Sequence, residues 1–462
     1  MIVESRKYFL VLTLAALALR LFFYTRFPHV TGDSLIYGDI ARNWLDHGVF
    51  GLSRAGGPEA TWIRLPGYPA FLTACFVLFG REHYHAVLLT QIVIDVAGCL
   101  VIADLARRTV SDRAGCFAFL LAALCPFTAN YTAAPLTETL SIFFVAVALD
   151  CAVAGFMALD EGRASWKAWA VCALAVAAGI LLRPDGGILL VAIGLFLLWR
   201  MWRRPAERVR LFWAGALILL VSVAPLAPWT VRNWRAFHQF QPLAPRYAND
   251  ADEFVPSGFD KWMRTWAADY TATEDVYWQV PGDDVDLNLL PPRAFDTEQQ
   301  RAQTEALFAE YGKTHYISPE LNARFEALAD ERVRSHPLRY YVGLPLARVV
   351  DMWVRPRTEM LPLDSHWWDF PGDPHDSILA TAWGVLNLLF LLAAVMGVVR
   401  GPRPRYLALM LLFVALRSAF LGTLENPEPR YTLECYPVVF VLGGAWIAGW
   451  RRAKPAGGTA SG

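Results

Sequence analysis

The stretch YFLVLTLAALALRLFFYTRFPHVTGDSLIYGDIARNWLDHG at residues 8–48 joins an apolar run directly to a polar segment that carries carboxylates. The apolar run at 8–24 follows Arg6 and Lys7 and has no small-residue cleavage site after it, so we expect a retained membrane-spanning helix. The whole chain agrees, since 55% of its 462 residues are hydrophobic and 18% are charged. Such a composition is too apolar for a soluble domain of this length. The sequence therefore predicts an all-α polytopic membrane protein.

Charge and cysteine usage exclude two classes of protein. Lysine plus arginine and aspartate plus glutamate number 42 each, so no net positive field gathers nucleic acid, and we expect no nucleic-acid partner. All seven cysteines lie in or beside apolar runs. They form no disulfide or zinc framework by spacing and are interpreted as small apolar filling residues.

The basic clusters predict which loops are cytoplasmic. These clusters are Arg6/Lys7, Arg107/Arg108/Arg113, RMWRRPAERVR at 200–210, RGPRPR at 400–405 and RRAK at 451–454. About ten spans connect them with consistent parity: the first helix and the segments near 86–106, 114–128, 136–157, 168–182, 186–199, 211–228, 376–398, 405–424 and 432–450. The run YPAFLTACFVLFG at 68–80 is shorter than a span and is predicted to be interfacial or re-entrant. Segments 25–67, 130–138, 183–185, 229–375 and 425–431 are then external.

Four regions follow from this topology. We predict an N-terminal transmembrane core at 1–228 with its first external loop at 25–67, an external domain at 229–375, C-terminal transmembrane helices at 376–454 and a flexible tail at 455–462. Within the external domain, helices are indicated by TEQQRAQTEALFAEYG and by SPELNARFEALADERVRSH, where Ser318 is placed as N-cap and Pro319 as first helical residue. PLRYYVGLPLARVVDMW at 337–353 is predicted to lie along the membrane surface.

Five polar groups fall in the external segments close to the membrane. They are GDSLIYGD at 32–39 with Asp33 and Tyr37, TWIRLPGYP at 61–69 with Arg64 and Tyr68, NYTAAPLTETL at 130–140 with Glu138, LLRPDGG at 181–187 with Arg183 and Asp185, and LENPEPRYTLECYP at 424–437 with Glu425, Glu428, Arg430 and Tyr431. A helix that begins at Asp33 presents Asp33, Tyr37 and Ile40 on one face. Charges held between helices near a membrane line a cavity or pair with one another.

Each group also has a plain structural explanation, and the residues alone leave both interpretations open. In the structural explanation, Asp33 caps a helix, Arg64 extends its charge to the membrane surface, and Glu138 offsets a helix dipole. The groups at 181–187 and 424–437 are then self-contained ion pairs.

The order of these features resembles the GT-C glycosyltransferases, in particular the bacterial branch related to protein O-mannosyltransferases and lipid A aminoarabinose transferases. The resemblance rests on a short first span, an external Asp-x-x-x-Tyr, a basic residue before a Pro-Gly break and a helix end bearing Arg-Pro. APWTVRNWRAFHQFQPL at 227–243 and the late external PEPRYTLECYP complete it. It covers 8–240 and 376–450 and says little about 245–375.

The resemblance implies roles for particular residues. Asp33 matches the acidic residue that acts as general base, while Ser34 stands where many relatives have Glu. Glu138 sits where related oligosaccharyltransferases place a second acidic ligand. Because one carboxylate and a hydroxyl make a poor cation cage, no cofactor is expected, although a divalent metal is compatible with the pattern. Substrate binding is assigned to Tyr37, Arg64, Tyr68, Glu138, Arg183, Arg430 and Tyr431.

The implied reaction transfers a sugar from a polyprenyl phosphate donor to a hydroxyl of a glycan, lipid or protein acceptor. Asp33 takes the hydroxyl proton, and an arginine stabilises the departing phosphate with its planar, permanently charged fork. Direct displacement with one base implies inversion. We expect the enzyme to lie in the cell inner (plasma) membrane, in contact with membrane lipids, with its active site on the external face.

Two alternatives to this reaction stay open, and one of them belongs to another functional class. A lipid-linked sugar flippase or transporter is expected to carry ionisable residues at mid-span and repeated halves, and neither is evident in the sequence. An O-antigen-ligase-like transferase with a lipid diphosphate donor is the nearer rival, since the pattern does not distinguish mono- from diphosphate. A purely structural scaffold leaves the external clustering of Asp, Arg and Glu without a reason.

Overall fold

The computed structural model describes residues 2–30 and 32–450. The predicted basic cluster at 451–454 and the tail at 455–462 lie outside the described residues. Two compact units divide the chain: the first comprises Met1–Asp252, Leu389–Val414 and Leu433–Gly462, and the second comprises Glu253–Leu388 and Ala415–Thr432. The predicted boundaries after 228 and 375 stay predictions.

The described elements are almost all helical. Up to the end of the first segment of the first unit they are α1 (Ile2–Arg26), α2 (Asp33–His47), β1 (Gly51–Arg54), β2 (Gly57–Ala60), α3 (Gly67–Phe79), α4 (Tyr84–Thr109), α5 (Asp112–Ala123), α6 (Pro126–Tyr131), α7 (Glu138–Asp160), α8 (Trp166–Leu182), α9 (Gly187–Arg203), α10 (Arg208–Val223) and α11 (Leu226–Phe237). Then follow α12 (Ser257–Arg264), α13 (Tyr270–Ala272), α14 (Glu298–Tyr311), α15 (Pro319–Ser335), α16 (Leu344–Val354), α17 (Pro374–Val399), α18 (Leu407–Leu421) and α19 (Tyr436–Trp450).

Among the described residues, 7 helices are long and apolar enough to cross a membrane. They are Arg6–Arg26, Tyr84–Thr109, Glu138–Asp160, Pro184–Arg203, Pro205–Phe237, Pro374–Val399 and Pro429–Trp450, and Gly67–Phe79, Trp166–Leu182 and Leu407–Leu421 are shorter apolar helices. The predicted all-α membrane class is confirmed. The predicted continuous span at 114–128 is wrong, because α5 ends at Ala123 and α6 begins at Pro126. Proline has no amide hydrogen to donate and fits only the first turn of a helix.

The membrane helices of the first unit pack closely where side chains are small. In α19, a methyl group on Gly444 would lie 2.7 Å from the backbone oxygen of Ala114 and from the backbone nitrogen of Ala118, both in α5. Small residues at helix interfaces let two backbones approach, which is the main packing device available in lipid.

One ion pair is buried inside the membrane helices. Arg20 of α1 pairs with Asp95 of α4, and their side chains are 0% and 5% exposed. Arg20 also donates 2.7 Å and 3.1 Å hydrogen bonds to the carbonyl oxygens of Ala123 and Ala16. The expectation that no ionisable residue lies at mid-span is therefore wrong. Because the donors of Arg20 are taken up by protein acceptors, the pair joins α1, α4 and α5 as a packing contact.

A short antiparallel hairpin, β1–β2, follows α2 and was not predicted. Its register pairs Gly51 with Ala60 and Arg54 with Gly57. Asp39 of α2 accepts hydrogen bonds of 2.7 Å from both the backbone nitrogen and the hydroxyl of Ser53. Asp39 thus anchors the hairpin to α2.

The second unit has a core of its own, built on aromatic residues. Its fully buried side chains include Trp262, Trp266, Phe325 and Met263. The two helices predicted here are confirmed as α14 and α15, and Ser318 caps α15 by accepting a 3.1 Å hydrogen bond from the backbone nitrogen of Leu321. The placement of α16 along a membrane surface stays a prediction.

Candidate functional site

Asp33 is the first residue of α2, and the preceding N-cap position is held by Gly32. The Asp33 carboxylate is therefore not the helix cap. Instead it forms an ion pair with Arg64, whose Nη2 lies 2.6 Å from the carboxylate oxygen. The Asp33 side chain is 33% exposed and that of Arg64 is 19% exposed. The candidate base and the candidate phosphate-binding arginine, 31 residues apart in sequence, are direct neighbours.

Tyr37 lies one helical turn after Asp33 and completes this group. The Arg64 guanidinium carbon is 5.6 Å from the centre of the Tyr37 ring, within range of a cation–π contact. Burial raises the pKa of Tyr37, and the charges of Arg64, Asp33, Arg183 and Glu138 all act on its hydroxyl. Four of the predicted site residues therefore surround one tyrosine that stays protonated at neutral pH.

Arg183 is the centre of a second charged group in the first unit. It follows the last residue of α8 in an extended conformation and precedes a single 3₁₀ turn, Pro184–Gly186. Its guanidinium lies 3.1 Å from Asp185, 3.4 Å from Glu138 and 3.8 Å from Glu434. Arg183 therefore does not form an isolated ion pair with Asp185, because two further carboxylates lie near its guanidinium.

The carboxylates around Arg183 come from distant parts of the chain. Glu138 opens α7 and is 3% exposed, and Glu434 is 4% exposed. Burial of this degree needs pairing with an opposite charge, which goes beyond ordinary dipole compensation at a helix end. Glu434, within TLECYP, was not predicted as a site residue. Its position just before a long apolar run was the available signal.

Gly67 brings the two charged groups together. A methyl group at Gly67 would lie 2.6 Å from the backbone carbon and oxygen of Leu181, a distance that real side chains do not tolerate. The loop that carries Arg64 therefore rests directly on the backbone two residues before Arg183. Only glycine permits this approach.

Tyr68 is completely buried and its ring packs against that of Tyr37. Its hydroxyl donates a 2.6 Å hydrogen bond to Gln91, which in turn donates 2.7 Å to the carbonyl oxygen of Ala134. The rings of Tyr37 and Tyr68 meet edge to face with centroids 5.0 Å apart. The structure accounts for Tyr68 as a packing and orienting residue, and its assignment to substrate binding stays a prediction.

Arg232 is a further positioning residue that sequence reasoning missed. It lies in the phrase APWTVRNWRAF and donates a 2.7 Å hydrogen bond to the carbonyl oxygen of Thr61 and another to that of Phe50. Its guanidinium also lies 5.2 Å from the centre of the Trp229 ring. Arg232 thereby holds the loop that leads to Arg64.

Arg430 and Tyr431 belong to the second unit. Arg430 pairs with Glu428 at 2.6 Å, and the Tyr431 hydroxyl donates to the same carboxylate. Buried Arg357 donates 2.7 Å to the carbonyl oxygen of Pro429, and Arg417 donates 2.9 Å to that of Tyr431. The PEPRY segment is thus a turn held by hydrogen bonds from two arginines.

Within the described ranges, no group of three or more His, Cys, Asp or Glu side chains is arranged to hold a metal ion. Around Arg183 the carboxylates converge on a guanidinium. The expectation that the protein has no cofactor stays a prediction.

Residues 64–229 match the family described as dolichyl-phosphate-mannose-protein mannosyltransferase. No protein of curated function matches. Apo ArnT from Cupriavidus metallidurans is 16% identical over 97% of this chain and 78% of its own, with a TM-score of 0.40. Its complex with undecaprenyl phosphate gives 15% identity, 96% and 78% coverage and the same TM-score of 0.40.

The archaeal oligosaccharyltransferase AglB from Archaeoglobus fulgidus, in complex with an inhibitory peptide and a dolichol-phosphate, has a TM-score of 0.52 with this chain. It is 11% identical, and the match covers 99% of this chain and 52% of AglB. At this identity the likeness shows a shared fold. The chain spans about half the length of AglB.

Proposed function

We propose that this chain, whose residues 64–229 match the dolichyl-phosphate-mannose-protein mannosyltransferase family, is a membrane glycosyltransferase of the GT-C type that uses a lipid-linked sugar donor. The observation that carries the proposal is the 2.6 Å pair between Asp33 and Arg64. It joins a proton acceptor to a phosphate-binding side chain at the start of the family match.

The chemistry follows from that pair. A donor phosphate competes with the Asp33 carboxylate for the Arg64 guanidinium, since both are bidentate acceptors for its fork. Once Arg64 turns to the phosphate, Asp33 is released and accepts the proton of an incoming hydroxyl. The bond from the acceptor oxygen to the anomeric carbon forms while the bond to the phosphate oxygen breaks. Attack from the opposite face inverts the anomeric carbon.

The donor is proposed to be a polyprenyl phosphate sugar, in keeping with the donor named in the family description and with the dolichol-phosphate held by AglB. The acceptor is a hydroxyl of a glycan, lipid or protein. The reaction is placed on the external face of the cell inner membrane, where the topology predicts Asp33 and Arg64. Arg183 is proposed to bind a second oxygen of the phosphate by exchanging one of its three carboxylate neighbours.

The test uses cells that lack the protein. Mass spectrometry of their polyprenyl phosphate sugars should reveal an accumulated donor, and the wild-type gene should clear it.

Asp33→Asn should insert normally and leave the donor in place, because an amide keeps the shape of the side chain but accepts no proton. Asp46→Asn, in the same helix and paired with the exposed Arg81, is the matched control and should clear the donor. A transfer rate for Asp33→Asn within about tenfold of wild type, roughly 1.4 kcal/mol of barrier, would exclude the general-base role.

A further inference from the structure

A cavity of about 270 Å³ lies in the first unit, and none of the candidate site residues lines it. It is formed at the ends of α7 and α9 and at the turn before α18. The lining residues that matter are Asp160, Trp199, Arg200, Arg203, Arg204 and Tyr406. A single water needs only about 10–15 Å³ of such space, so this cavity is large enough for a phosphate group.

The floor of the cavity is a closed ionic network. Arg200 is 5% exposed and pairs with Glu207 at 3.0 Å and also with Asp160. Asp160 also accepts hydrogen bonds from Arg204, at 2.7 Å, and from the Tyr406 hydroxyl. Arg200 is therefore neutralised and structural.

The mouth of the cavity carries positive charge that this network does not cancel. Arg203 is exposed, and within the described part of the chain it has no ion pair; its guanidinium lies 5.1 Å from the centre of the Trp202 ring. Arg204 shares Asp160 and Glu207 with Arg200 and remains 52% exposed. Three arginines thus face two carboxylates, and the excess charge fits an anion.

The backbone at Tyr406, in the turn before α18, is strained. Its φ of +58° is in the left-handed region, which residues with a Cβ rarely adopt. Stacking on Phe156, with ring centroids 5.6 Å apart, and the hydroxyl bond to Asp160 keep it there. Backbone strain of this kind persists where the surroundings fix it and is concentrated at ligand sites.

The surface next to the cavity is of the kind that faces lipid. Trp199 and Trp202 of α9 are 47% and 68% exposed, and Leu198 is 62% exposed. Exposed tryptophans mark the level of lipid head groups. The basic run at 200–210 is also the pattern that attracts anionic lipids at the predicted cytoplasmic face.

We propose that this cavity binds the phosphate of an anionic phospholipid. Arg203 and Arg204 hold the phosphate oxygens, and Trp199 packs against the glycerol region. The site lies apart from the proposed transfer chemistry and does not depend on it.

The test measures the unfolding temperature of the full-length protein in detergent, with added phosphatidylglycerol or phosphatidylcholine. Phosphatidylglycerol should raise the midpoint of wild type by several degrees more than phosphatidylcholine does. Arg203→Gln should lose at least half of that difference, and it removes no ion pair with any described residue. Arg208→Gln removes the same charge from the exposed surface outside the cavity and should respond as wild type does.

Two further measurements separate the occupants. Native mass spectrometry should find a phosphatidylglycerol adduct on wild type and Arg208→Gln but at least fivefold less on Arg203→Gln. Arg203→Lys should retain part of the adduct. An equal midpoint shift with inorganic phosphate would assign the cavity to a soluble anion and overturn the proposal, as would equal lipid responses of Arg203→Gln and Arg208→Gln.

Discussion

Arg64 combines three contacts in one side chain: the carboxylate of Asp33, the ring of Tyr37 and the carbonyl oxygen of Ile63 at 3.2 Å. A lysine at this position keeps the charge but loses the planar fork that serves carboxylate and phosphate bidentately. We therefore expect Arg64→Lys to retain partial transfer and Arg64→Ala to lose most of it, each at normal expression. Donor affinity and turnover should both fall, which a binding assay and a rate measurement with purified protein distinguish.

Arg430→Ala is the comparison for that prediction, since Arg430 is also a candidate for the donor phosphate. Normal donor affinity and turnover in Arg64→Ala, together with loss of both in Arg430→Ala, would assign the phosphate to the PEPRY turn. Arg64 would then be a structural partner of Asp33.

Asp33, Arg64 and Arg183 were recognisable as candidate site residues because each charge lies beside an apolar run. The pattern did not reveal that Glu434 joins Glu138 around Arg183, because this neighbourhood is made by helix packing. Arg232 was missed for a similar reason: an arginine in an apolar, aromatic phrase does not indicate which carbonyl groups it will reach. Whether these residues bind substrate stays a prediction.

At the scale of elements, the contact of the Arg64 loop with the end of α8 depends on Gly67. In Gly67→Ala the added methyl group would lie 2.6 Å from the Leu181 backbone, and a main chain cannot move aside as a flexible side chain does. We expect the loop to shift, the spacing of Arg64 and Arg183 to increase and turnover to fall at least tenfold, with modest loss of stability. Gly56→Ala, with open space around the added methyl group, is the control and should retain wild-type turnover. Wild-type turnover in Gly67→Ala would mean that the two arginines act independently.

Helix α16 carries a pH-dependent contact in the second unit. Burial raises the pKa of Asp351 to about 6 from its ordinary 3.8, against the opposing effect of Arg355, and the carboxyl accepts a 3.0 Å hydrogen bond from the backbone nitrogen of Tyr270. The folded protein holds this proton more tightly than the unfolded chain. Protonation of Asp351 therefore adds on the order of 3 kcal/mol to the free energy of unfolding. This stabilisation is complete below about pH 4 and is lost as the pH rises through about 6.

Asp351→Asn should remove this dependence, because the amide still accepts the Tyr270 bond and does not titrate. Unfolding midpoints measured in detergent from pH 4 to 7.5 should show wild type falling relative to Asp351→Asn as the pH rises. Exposed Asp286→Asn should follow wild type. Parallel profiles for wild type and Asp351→Asn would show that the carboxyl does not set this stability.

Elements were predictable to different degrees. Hydropathy identified the long helices, and cap residues located α14 and α15, since both signals are local. The break between α5 and α6 was overlooked because apolar residues continue across Pro126. The hairpin β1–β2 escaped prediction because its four-residue strands lack alternation, and Asp39 stabilises it from another element.

For the whole molecule, the predicted assignment of loops to the cytoplasmic or the external side of the membrane can be tested by thiol labelling. Two predicted cytoplasmic loops do contact each other within the first unit, as the backbone nitrogen of Arg405 donates 2.8 Å to the carbonyl oxygen of Thr109. In a background without native cysteines, Arg113→Cys should resist an impermeant thiol reagent in intact cells, and Glu320→Cys should react. Permeabilised cells should label both. Labelling of Arg113→Cys in intact cells would mean that α3 crosses the membrane and that the predicted parity is wrong.

The buried pair of Arg20 and Asp95 has a consequence for biogenesis. A charged residue at the centre of a lone helix raises the free energy of insertion by about 2.5–3.5 kcal/mol. Arg20 lies nearer the end of α1 at Arg26, so this range is an upper bound for it, and its partner Asp95 is synthesised 75 residues later. At roughly 5–20 residues per second, α1 waits about 4 to 15 seconds without its counter-ion. During that interval the nascent helix must stay at the insertion machinery or keep the guanidinium among lipid phosphates. The arrival of α4 would then release both helices into the bilayer as one unit.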